Sequence, residues 1–75
     1  MRLNQLDTGS RARIMSFSLE SERRVLRLEN YGVTLGSIVR LLQKKPSLVI
    51  EIGGTQLALD NELAQAIHVQ PEING

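Results

Sequence analysis

The sequence predicts a mainly β fold: a small, partly open barrel of about five short strands, with one inserted α-helix and a one-turn corner helix. Three observations carry that expectation. Short apolar runs alternate with polar residues at the strand period, glycines stand where such runs must reverse, and only one stretch has a helical period.

The joint between helix and barrel is Tyr31-Gly32-Val33-Thr34-Leu35-Gly36. Upstream, Ser21 to Asn30 sets Val25, Leu28 and Tyr31 on one stripe with Leu26 beside it. Gly32 follows the last periodic residue, where a left-handed C-cap favours a residue without a Cβ. Thr34-Leu35-Gly36-Ser37 then reads as a β-turn with Gly36 at the positive-φ position, and Ser37 to Gln43 as an extended run.

Before the joint, Leu3 and Leu6 are spaced as a helical turn or an anchored loop, and Asp7-Thr8-Gly9-Ser10 is turn chemistry. Arg11 to Ser18 starts as a strand with Ala12 and Ile14 on one face, and the alternation shifts near Met15 to Phe17, which predicts a bulge or strong bend. After the joint, Lys44-Lys45-Pro46-Ser47 marks a turn, because proline cannot donate to a central ladder. Leu48, Ile50 and Ile52 share one face of the next strand, and Gly53-Gly54 joins it to Thr55-Gln56-Leu57-Ala58-Leu59 as a hairpin. Asp60 is placed to cap a single turn over Asn61 to Gln65. Ile67-His68-Val69 closes the fold with Ile67 and Val69 inward, and Pro71 to Gly75 reads as a frayed tail. The 75 residues form one domain, with a core from about Leu3 to Gln70.

Composition excludes several functions. The absence of cysteine removes a disulfide framework, a thiolate zinc cluster, an iron–sulfur site and a cysteine nucleophile. The longest apolar runs fall far short of the roughly 20 residues that span a bilayer, so direct membrane insertion is not expected. The start, Met1 to Asp7, lacks the apolar stretch of a signal peptide, and export by that route is not expected. Nine Lys/Arg against eight Asp/Glu leave a net charge of +1, too little for charge-driven binding of nucleic acid, and only Phe17 and Tyr31 are aromatic.

The residues offer little catalytic chemistry. His68 is the only histidine and is expected to face solvent, opposite Ile67 and Val69. Asp60 and Glu62 sit where a short helix starts, which favours capping over acid–base work. For a metal, His68, Glu51, Asp60 and Glu62 are the weak candidates, without the spacing of an established site; no cofactor is required, and a divalent transition ion would be held weakly or between copies. Arg23, Arg24 and Arg27 share the helix face away from Val25 and Leu28, either as a solvated face with Glu20 paired to Arg24 or as a docking surface for an acidic partner.

Taken in order, Leu6…Gly9…Ala12-x-Ile14, then Arg24-x-x-Arg27-Leu28-x-x-Tyr31-Gly32-Val33-x-x-Gly36, then Gly54-Thr55-x-Leu57-Ala58-Leu59 and Ala64-x-x-Ile67-x-Val69, the chain resembles the ferrous iron transport protein A (FeoA) family. The resemblance runs from about Leu3 to Val69 and implies an SH3-like barrel, cytoplasmic and bacterial, acting as an accessory of the membrane GTPase-linked (FeoB-like) ferrous iron transporter. Leu35 stands where a proline commonly precedes the family's second glycine, and Tyr31-Gly32 replaces a leucine-glycine pair. A related module ends metal-dependent repressors of the diphtheria toxin repressor type, but these 75 residues hold no helix-turn-helix. The expected function is therefore a non-enzymatic module that docks on the cytoplasmic region of that transporter, with Tyr31, Val33 and Leu35 as apolar contacts and Arg23, Arg24 and Arg27 at their rim. The alternative is a metal-responsive regulator or small transition-metal-binding protein; a small RNA-binding barrel is disfavoured by charge, and self-association stays open.

Overall fold

A computed structural model describes residues 1–18 and 22–73. A 3-10 turn, Leu3–Gln5, precedes β1 (Arg11–Phe17), α1 (Glu22–Asn30), β2 (Ile38–Gln43), β3 (Leu48–Ile52), β4 (Thr55–Leu59), α2 (Asn61–Ala66) and β5 (Ile67–Pro71). The five strands make one antiparallel sheet in the order β4-β3-β2-β1-β5. It curls into an SH3-like, mainly β fold and does not close, so β4 and β5 are its outer strands.

Alternation decides which face is buried. Ala12 and Ile14 of β1, Val39 and Leu41 of β2, and Leu48, Ile50 and Ile52 of β3 all enter the core, as strand period requires. Leu3 and Leu6 plug it from the N-terminal turn, and Ala64 from α2. No polar or charged residue is buried among the described residues, so burial of apolar area holds this fold together. Curvature comes from two bulges: the β1–β5 register shifts between Ile14 and Ser16, where the sequence predicts it, and the β2–β3 register shifts between Leu41 and Gln43.

The turns follow their residues. Gly53 and Gly54 have φ of 56° and 81°, the pair of positive angles that a two-residue hairpin needs to match the twist of β3 and β4. At the end of α1, the Gly32 N–H donates to Glu29 O at 2.9 Å and the Val33 N–H to Leu28 O at 2.9 Å, the two bonds of a Schellman motif, with Gly32 at φ 90°. Leu28 and Val33 flank that cap and are both in the core. Asp60 caps α2 as expected, its Oδ1 accepting the Leu63 N–H at 2.8 Å.

Three expectations are corrected. Of the stripe Val25, Leu28 and Tyr31, only Leu28 is buried, because α1 meets the sheet at its C-terminal end alone; Tyr31 is 55% exposed. Pro71 and Glu72 are not a frayed tail. Pro71 is the last residue of β5, opposite Ala12, a position open to proline because β5 lies at an edge. Glu72 continues the pairing, its N–H donating to Arg11 O at 2.9 Å and its Oε1 standing 3.5 Å from Arg11 Nε. Val33, expected at the surface, is 0% exposed: the Schellman bond turns it inward beneath the helix end. The expected helix residue Ser21, the expected Glu20–Arg24 pair and the last tail residues Asn74 and Gly75 lie outside the described residues.

Two substitutions test this local account. A Cβ built on Gly32 meets nothing within 4 Å, so Gly32→Ala should lower stability through the left-handed backbone alone, by about 1–2 kcal/mol. Urea titration should show a lower midpoint with an unchanged slope; an unchanged midpoint contradicts the cap. Asp60→Ala should cost about 1 kcal/mol, while Asp60→Asn, which still caps, should cost far less in the same titration.

Candidate partner-binding surface

The corner after α1 is an exposed apolar tip on a fastened base. Thr34 and Ser37 close the turn: the Ser37 N–H donates to Thr34 O at 3.2 Å, and their hydroxyls lie 2.6 Å apart. β1 ties it from the side, where the Gly36 N–H donates to Ile14 O at 2.7 Å, the Ile14 N–H donates to Ser37 O at 2.9 Å, and Arg13 Nη1 donates to Gly36 O at 2.8 Å. Leu35 at the tip is 61% exposed. An apolar side chain held out on a braced turn loses little conformational freedom when it is covered. Tyr31 is also exposed, whereas Val33 belongs to the core.

The three arginines of α1 divide. Arg24 Nη1 donates to Glu62 Oε1 of α2 at 2.6 Å, which ties the two helices across the domain. The hydrogen bond to Glu62 holds the Arg24 guanidinium above its ordinary range, against an opposing effect of desolvation. Arg23 and Arg27 are exposed and make no ion pair among the described residues. Between α1 and the β4–α2 segment runs a cleft of about 320 Å³ with Leu28, Leu57, Leu59 and Leu63 as its apolar lining and Arg24, Arg27 and Tyr31 along the helix side. Sequence reasoning passed over this cleft. Its one signal there is that Thr55 to Leu59 carries no charge.

The weak metal candidates do not converge. Glu51 stands on β3 opposite Arg40, Asp60 caps α2, and Glu62 is held by Arg24. Among the described residues no three His, Cys, Asp or Glu side chains gather around one point. His68 is half-buried rather than solvent-facing, and its Nε2 shares a hydrogen bond with Ser18 Oγ. The Ser18 N–H also donates to Ala66 O at 2.7 Å, so Ser18 clasps the end of β1 to the start of β5. Sequence reasoning did not join Ser18 to His68. No carboxylate hydrogen-bonds the ring among the described residues, so the pair lacks the orienting group of a catalytic triad. No described helix is long and apolar enough to cross a membrane.

Comparison with known proteins agrees with this geometry. The family model of the FeoA domain matches residues 1–71. No curated protein matches the chain. Stenotrophomonas maltophilia FeoA, solved in complex with zinc and described as a procaryotic SH3 domain protein, superposes with a TM-score of 0.80 at 26% identity, over 93% of this chain and 89% of that one. Iron(II) transport protein A from Clostridium thermocellum gives 0.84 at 27% identity, over 95% of this chain and 45% of its own. The fold alone is shared with T. acidophilum IdeR, at a TM-score of 0.88 and 22% identity, where 96% of this chain corresponds to 34% of that protein. With most of its length matched by the family model and its turns, cap and sheet in place, the chain belongs to the FeoA domain family.

Proposed function

We propose that this chain is a non-enzymatic accessory of ferrous iron uptake, which docks from the cytoplasm on the membrane ferrous iron transporter. Membership of the FeoA family supports the role in ferrous iron transport. The observation that carries the docking is Leu35, an exposed leucine on a turn braced by five hydrogen bonds from or to β1 and within itself, with Tyr31 at the end of the preceding helix. Rigid apolar anchors with arginines at the margin suit a modest, reversible interface, and Arg23, Arg24 and Arg27 supply that margin.

Pull-down of the purified, detergent-solubilised ferrous iron transporter by this chain tests the reading. Leu35→Asp should weaken capture by roughly tenfold or more, as loss of an interface anchor does, and Arg23→Glu by less. Thermal unfolding of both variants should match the parent, since both side chains are exposed. Undiminished capture by both variants would overturn the reading.

A further inference from the structure

The two outer strands of the sheet are treated differently. β5 is guarded: Met1 O accepts the Val69 N–H at 2.7 Å, Arg2 bridges to His68, and Pro71 ends the strand. β4 has none of these devices. Thr55 to Leu59 contains no charge and no proline, and it pairs with β3 in unbroken register from Ile52↔Thr55 to Leu48↔Leu59. On its other side, no backbone group of β4 bonds to another segment among the described residues. Sheets ordinarily blunt such an edge with charge, proline, a bulge or cover, because an open row of N–H and C=O groups accepts a further strand.

The cleft shows that this edge is accessible. Leu57, Ala58 and Leu59 all line it. Side chains of consecutive strand residues point to opposite faces, so the presence of all three along one cleft matches a strand that turns its backbone edge toward it. Leu28 is the one residue of α1 that is fully buried, and the cleft lies between this helix and the β4–α2 segment.

We propose that the outer edge of β4 receives an extended segment of a partner protein as an added strand, one whose alternate side chains are apolar toward Leu57 and Leu63 and acidic toward Arg27. The acidic preference follows from the charges present. Arg24 is held by Glu62, whereas Arg27, beside Tyr31, has no ion-pair partner among the described residues; the Asp60 carboxylate also lines the cleft and keeps its charge, with its Oδ1 engaged by the Leu63 N–H. Main-chain pairing supplies affinity in this mode, and alternate side chains supply selectivity. The inference rests on the docking reading above only in taking that partner to be the transporter.

A synthetic peptide alternating valine and glutamate, titrated into the isotope-labelled full chain, tests the inference by amide hydrogen exchange. Exchange at Thr55 to Leu59 should slow, and a peptide N-methylated at every residue should fail to bind, because neither of its edges can then donate to β4. A valine–lysine peptide should bind roughly tenfold more weakly, and Arg27→Glu should reverse that preference. Equal binding of the methylated peptide, or unchanged exchange in β4, would overturn the proposal. So would a concentration-dependent dimer of the chain alone that protects β4, since a second copy would then be the occupant. Leu35→Asp should leave peptide binding intact, so transporter capture and peptide binding fail separately if only one reading is wrong.

Discussion

The attachment of α1 at its C-terminal end governs the rest of this molecule. Leu28 and Val33 enter the core on either side of the left-handed Gly32, and the two Schellman bonds between them set the angle at which the helix leaves the sheet. A helix of nine residues gains little stability from its own hydrogen bonds, so its position depends on what it buries, and it buries one leucine. Arg24 with Glu62 adds a second tether, weak because Glu62 is open to water. Had Val25 and Leu26 been drawn down as well, the helix would lie flat on β4 and the cleft would be filled. One anchor at one end yields both the exposed corner and the opening beside the sheet edge.

Electrostatics place the remaining charge away from that opening. Across the polar face of the sheet, Glu51, Arg40, Arg11 and Glu72 follow one another on adjacent strands, so two arginines that face each other are flanked by carboxylates on either side. Like charges directly opposite on neighbouring strands are unfavourable, and this row offsets them internally. The α1 side is arranged otherwise, with Arg23 and Arg27 unmatched among the described residues and Tyr31 and Leu35 exposed beside them. A surface that combines unmatched arginines with apolar side chains on a braced backbone is suited to meeting another protein, whereas on the sheet's polar face Arg11 is paired with Glu72 and Arg40 stands across from Glu51.

Much of this was legible because glycine, proline, aspartate and strand alternation act locally. Gly32, Gly36 and Gly53-Gly54 mark positive φ at the end of α1, before β2 and between β3 and β4, Asp60 announces its helix, and Ala12 with Ile14 declares the buried face of β1. What escaped the sequence depends on contacts distant along the chain. Val33 lies in a three-residue segment between Gly32 and Gly36, too short for a period to assign its face, and only the bond back to Leu28 shows that it turns inward. Pro71 reads as a strand breaker until the sheet order makes β5 an edge. Ser18 meets His68 across 50 residues and Arg24 meets Glu62 across 38, separations at which no spacing rule operates. The candidate surface was accordingly half legible: Tyr31, Leu35 and the arginines were named, while its other wall, the uncharged β4, was seen only as one arm of a hairpin.

The α1 corner and the β4 edge are the side of the domain that we propose meets the ferrous iron transporter. The most direct measurement is an NMR perturbation map of the isotope-labelled chain titrated with the transporter's purified cytoplasmic region. Shifts should concentrate at Tyr31, Leu35, Arg27 and Thr55 to Leu59, with Arg11, Arg40 and Glu51 undisturbed. Shifts centred on Arg11 and Arg40, or none at a saturating concentration of the transporter region, would contradict that proposal.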